Sequence, residues 1–142
     1  ARRRAAVRTT ADTSVLVAAF ASWHEHHRVA FAAVGRVDVV VAHCLVETYS
    51  VLTRLPAPHR MTPDVVSEYL NRTFARHAVV ALPAAEQRKL IGTCATHNLA
   101  GGAVYDAVIA ATCAHSRLVL LTLDARARQT YSIMGVDHEL VA

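Results

Sequence analysis

The chain has 142 residues, 54% of them hydrophobic, and a formal charge of +4. That length fits one domain able to bury roughly two-thirds of its unfolded surface, and the apolar content excludes a disordered chain. No run reaches the roughly 18 apolar residues a membrane span requires.

Residues 1–6 read as a loose basic tail, and residues 7–142 as a single domain. Arg2, Arg3 and Arg4 ahead of the apolar run at 15–21 faintly imitate a secretory signal, but Asp12 interrupts it. The expected location is therefore the cytoplasm. Residues 7–11 form a rather polar first strand, and Thr13 or Ser14 can cap a helix starting near Val15. A strand that feeds at once into a helix is the βα turn of a parallel sheet.

The pattern predicts a second helix over 23–34, ended by Gly35, and a β-branched strand over 37–41. A helix follows over 42–55, stopped by Pro56 and Pro58. Thr62 and Pro63 start the next, which runs to about Ala75. A third strand at 79–82 and a helix over 84–97 lead to Gly101 and Gly102, which open an alanine-rich helix ending near Ser116. Residues 118–121 are a buried strand, 124–134 a last helix stopped by Gly135, and 140–141 a short fifth strand. This alternation predicts an α/β fold, a three-layer α/β/α sandwich on a mostly parallel sheet of four to five strands.

Four carboxylates stand out against this frame. Asp12 and Asp124 follow strands directly, Glu47 lies one turn into the helix after the second strand, and Asp106 lies in the first turn of the alanine-rich helix. Asp106 is hardest to explain as ordinary surface, because Val104, Val108, Ile109 and Ala111 around it read as core and an isolated buried charge is costly. Alone, Asp12 or Asp124 reads as a helix cap and Glu47 as a solvated helix residue. Asp38 is the only other acid in an apolar setting. Sites in parallel sheets form beyond the carboxyl ends of the strands, where Asp12, Glu47 and Asp124 fall. Strand counting leaves the edge open for the start of the Asp106 helix: it falls at the opposite edge unless the helix is tilted or the glycine pair brings it round.

Asp12-Thr13-Ser14-Val15-Leu16-Val17, Glu47 with Val51-Leu52-Thr53-Arg54-Leu55, Gly101-Gly102-Ala103-Val104-Tyr105-Asp106 and Leu121-Thr122-Leu123-Asp124 occur in that order. Together they resemble the PIN-domain nucleases, specifically VapC-type toxins of toxin–antitoxin pairs, over roughly residues 9–141. The polar first strand departs from the aliphatic strand usual in the family. The resemblance implies a metal-dependent endoribonuclease in which Asp12 and Asp106 hold Mg²⁺ or Mn²⁺ most directly, and Glu47 and Asp124 complete the site. Hard cations take such oxygen ligands, and a cation offsets the repulsion of clustered carboxylates. The implied products carry 5′-phosphate and 3′-hydroxyl ends. Ser14 and Thr122 are candidates to orient the ligands, and Arg54, Arg126 and Arg128 to hold the RNA backbone. The family further implies a VapB-type antitoxin that inserts a peptide across the site, and a homodimer; no membrane partner is expected.

Other motifs carry less. All the basic residues except Lys89 are arginine, which suits phosphate but equally reflects a codon bias toward Ala and Arg. Cys44, Cys94 and Cys113 have no CxxC spacing and read as reduced core thiols. Trp23-His24-Glu25-His26-His27 offers two imidazoles three apart, yet polar residues at a helix start are ordinary. A receiver-like phosphoacceptor would need an acid pair after the first strand and a lysine near the last, whereas Thr13 follows Asp12 and Lys89 lies in a helix. The remaining alternative is a non-catalytic PIN-fold module that binds RNA or protein.

Overall fold

The computed structural model describes residues 6–142. All but the last residue of the expected basic tail lies outside the described residues. The elements are β1 (Arg8–Ala11), α1 (Thr13–Phe20), α2 (His27–Val34), β2 (Val39–Val41), α3 (Ala42–Thr53), α4 (Pro63–Thr73), β3 (Ala78–Val80), α5 (Ala84–Thr96), α6 (Ala103–Ser116), β4 (Leu118–Thr122), α7 (Ala127–Ile133) and β5 (His138–Leu140).

Every strand pairing is parallel. β4 lies between β1 and β5, with Ala11 opposite Leu121 and Thr122 opposite Leu140. β2 pairs with β3, Val41 opposite Val80. The two ladders join at Asp38, whose backbone N–H donates to the Thr9 carbonyl at 2.8 Å while its carboxylate accepts from the Thr9 N–H at 2.9 Å. Asp38 is thus a backbone clip, which explains an acid in an apolar segment. Val39, Val40 and Val41 are consecutive and all buried, as are Leu120, Leu121 and Thr122. Successive strand residues point to opposite faces, so helices cover both faces of the sheet. The core joins these residues to Val15, Leu16, Leu52, Val66 and Ile109.

Several boundaries differ from the sequence expectation. Asp12, not Thr13 or Ser14, caps α1, its side chain accepting from the Val15 N–H. The helix expected from Trp23 begins only at His27. His24 Nδ1 accepts the His26 N–H at 3.1 Å, and such local side-chain bonds compete with helix formation. The last helix begins at Ala127, because Asp124 Oδ1 accepts from the N–H groups of Arg126 and Ala127 in a tight turn. Thr62 precedes Pro63 at the start of α4 without a side-chain cap bond. Cys44, Cys94 and Cys113 are free and buried. No helix of the described residues is long and apolar enough to cross a membrane.

Candidate active site

Asp12 sits where β1 turns into α1 and is only 2% exposed. Its own N–H donates to the Leu121 carbonyl at 3.0 Å, so the ladder with β4 fixes its backbone. Four donors surround the carboxylate. Ser14 Oγ (2.5 Å) and the Val15 N–H (3.4 Å) donate to Oδ1, while Thr122 Oγ1 (2.5 Å) and the Tyr131 hydroxyl (2.7 Å) donate to Oδ2. Burial raises the Asp12 pKa, and these hydroxyls and the Val15 N–H oppose the rise. The same two hydroxyls stitch the end of β4 to the site: Ser14 Oγ accepts from the Leu123 N–H at 2.9 Å, and Thr122 Oγ1 from the Asp124 N–H at 3.0 Å.

Asp106 lies in the first turn of α6. Burial raises its pKa to about 6, and the negative charges of Asp124, Asp12 and Glu47 add to the rise. No hydrogen bond offsets it. The four carboxylates are therefore neighbours at one edge of the sheet. The edge that strand counting leaves open for Asp106 follows from chain direction: α6 ends where β4 begins, so its first turn lies where the strands end.

Glu47 behaves oppositely. His43, one turn earlier on α3, meets its Oε2 at 3.1 Å and is the main cause that lowers the Glu47 pKa. Partial burial opposes this, and the charge of Arg54 lowers it further. The His43 ring also stacks on Tyr105, centroids 5.6 Å apart and planes 15° apart, beside Asp106.

A cleft of about 600 Å³ is lined by Ser14, Glu47 and Asp124 together with His24, Glu25 and His26; Asp12 and Asp106 are not part of its lining. Arg126 lines it as well, whereas Arg128 is exposed outside it. Arg54 is exposed at the end of α3. His27 turns away, its Nδ1 bonding to the Ala18 carbonyl at 2.9 Å. Sequence reasoning missed His43 and Tyr131. His43 precedes Glu47 by one helical turn, which could have flagged it; no local signal marks Tyr131.

Among the described residues, no three His, Cys, Asp or Glu side chains form a ready-made metal cage. The donor chemistry nonetheless fits a hard divalent cation. Such ions accept one or two carboxylates and keep several waters. Asp106, half-buried, repelled by three acids and only partly offset by His43, would be relieved by a cation.

Residues 10–133 match the PIN domain family. Over 130 residues the chain is 48% identical to Ribonuclease VapC40 of Mycobacterium tuberculosis, spanning 92% of this chain and 96% of that protein. It is 39% identical over 132 residues to Ribonuclease VapC27 of the same species, spanning 92% and 94%. The fold superposes on DNA-bound VapBC from Salmonella typhimurium with a TM-score of 0.66 at 20% identity, covering 94% of this chain and 98% of that one. For FitAcB from Neisseria gonorrhoeae the TM-score is 0.64 at 20% identity, covering 92% and 95%. These two likenesses speak for the fold alone.

Proposed function

The chain belongs to the PIN domain family, among the VapC ribonucleases, and we propose that it is a metal-dependent endoribonuclease toxin held off by a cognate antitoxin. One observation carries the catalytic part: Asp106 is half-buried beside Asp124, Asp12 and Glu47, and burial together with their charges pushes its pKa up to about 6. Clustered acids of this kind are costly to a fold unless a cation joins them.

Asp12 and Asp106 would hold Mg²⁺ or Mn²⁺ most directly, with Glu47 and Asp124 completing the site through water. Such a cation supplies Lewis acidity at the phosphate and makes a bound water easier to deprotonate. The chain's own residues supply the positioning. Ser14, Thr122 and Tyr131 leave Asp12 little freedom to rotate. His43 keeps Glu47 ionised and directed. Arg126, at the cleft, and Arg54, beside Glu47, are the cations best placed for the RNA backbone, Arg128 less so. The reaction is hydrolysis of an RNA phosphodiester, leaving 5′-phosphate and 3′-hydroxyl ends.

A VapB-type antitoxin partner is part of the same reading. The ribonuclease relatives carry the VapC name, and one structural likeness is titled a VapBC complex. A homodimer is proposed as well; the apolar groove formed by Leu90, Ile91, Leu99, Val104 and Val108 supports it.

The deciding experiment incubates purified protein with total cellular RNA in Mg²⁺ or Mn²⁺, against EDTA and an Asp106→Asn control. Discrete metal-dependent bands absent from the control are expected. A folded, metal-binding protein that cuts nothing would favour the non-catalytic RNA- or protein-binding module.

A further inference from the structure

His24, Glu25 and His26 are not used by the chemistry above, yet they line the cleft together with Glu47 and Asp124, and Trp23 directly precedes them. They form no zinc site. His24 Nδ1 is already occupied by the His26 N–H, and His27 Nδ1 by the Ala18 carbonyl. The first of these bonds has a second effect. A ring nitrogen that accepts a backbone N–H carries no proton, so neutral His24 holds its proton on Nε2 as a donor.

Beside it, Trp23 is 48% exposed, an unusual position for the chain's one tryptophan. It is not loose. Its indole stacks on the His59 ring, centroids 4.0 Å apart and planes 29° apart. His59 is in turn pinned to the helix that carries Glu47. Its N–H donates to the Pro56 carbonyl at 3.0 Å, and the Met61 N–H donates to the Leu52 carbonyl at 3.1 Å. An exposed, braced aromatic platform thus adjoins His24, ring centroids 5.9 Å apart, at the cleft that His24 and His26 line with Glu47 and Asp124.

We propose that Trp23, braced by His59, together with His24 and His26, forms a nucleotide subsite of the RNA-binding cleft: an unpaired base stacks on the indole, and the flanking phosphate accepts from His24 Nε2–H. This rests on the ribonuclease reading. Unpaired bases have open π-faces that stack on aromatic side chains, whereas bases in a duplex already stack on one another. The subsite therefore selects single-stranded RNA or loops, with His24 Nε2–H offered to the phosphate beside the Glu25 carboxylate of the same lining.

The single tryptophan makes the test direct. The Asp106→Asn chain, which does not cleave, is titrated in Mg²⁺ with short single-stranded oligoribonucleotides of each base and with a duplex, while indole fluorescence is read. Saturable quenching by at least one single strand and not by the duplex is expected, with His59→Ala weakening it. In the cleaving wild type, Trp23→Ala should raise KM about fivefold or more, the lower end for one stacked base, with kcat unchanged. Unquenched fluorescence, equal quenching by the duplex, or an unchanged KM in Trp23→Ala would overturn the subsite. Its failure is separable from that of the ribonuclease reading: a wild type that cuts RNA while Trp23 stays silent loses only the subsite. Quenching by a protein that cuts no RNA leaves the subsite standing and removes the nuclease.

Discussion

The Tyr131 hydroxyl donates to Asp12 Oδ2 at 2.7 Å across 119 residues of sequence, and both side chains are buried. Burial and the adjacent Asp12 charge push the phenol's pKa far up, so it stays a donor at every accessible pH. The last helix is thereby fastened to the carboxylate at the end of the first strand.

Tyr131→Phe removes one donor from a buried carboxylate that keeps Ser14, Val15 and Thr122. A hydrogen bond to a charged group contributes about 1.5 to 3 kcal/mol, so stability should fall by about 1.5 kcal/mol or more. Thermal melting should register a drop of about 3 to 6 °C. A variant melting with the wild type would show that the remaining donors suffice.

Asp106 yields a pH dependence. Its carboxyl titrates at about 6 in the fold, against 3.8 ordinarily. Between those values the folded state holds more protons than the unfolded one, so this group's contribution to stability falls as pH rises and its cost is complete above about 6. Because Asp106 is half-exposed, solvent screening leaves that cost at about 1 to 2 kcal/mol. In EDTA, Asp106→Asn should melt above the wild type at neutral pH, the two curves converging as pH falls below about 4. Curves that stay parallel across that range would mean that burial and the neighbouring acids do not raise the Asp106 pKa in the fold.

Metal should reverse the same penalty. A ligand that binds only the folded state at about a hundred times its Kd adds about 2.7 kcal/mol. Millimolar Mn²⁺ is therefore expected to raise the wild-type Tm by several degrees over EDTA, and Asp106→Asn to blunt the rise. No shift in the wild type would count against the clustered acids as a cation site.

His43→Ala tests the second buttress. His43 is the main cause of Glu47's lowered pKa. Without it the Glu47 pKa rises, so cleavage that needs ionised Glu47 should be lost at a higher pH on the acid side. An acid limb unmoved in a pH–rate profile would show that Glu47 ionisation does not limit the reaction.

Much of the architecture is local and so legible from the chain. Val39–Val41 and Leu118–Thr122 are runs of apolar, largely β-branched or leucine residues, which only strands buried on both faces tolerate. Asp124 reads as a strand-end acid because such a run stops just before it, whereas Asp12 follows the more polar Arg8–Ala11. The segment at 23–26 was less legible. Its periodicity fits a helix, but the bond from the His26 N–H to His24 Nδ1 closes a turn instead. Asp124 likewise delays its helix by accepting backbone N–H groups.

By itself the sequence determined the order of strands and helices and which acids interrupt apolar segments, since both follow from side-chain periodicity and from the cost of burying charge. Only the tertiary structure decided what surrounds those acids. Tyr131 and Thr122 reach Asp12 across more than a hundred residues, and Trp23 meets His59 across two helices. Contacts at such separations depend on how parallel strands bring helix ends to one edge, and no local pattern encodes that geometry.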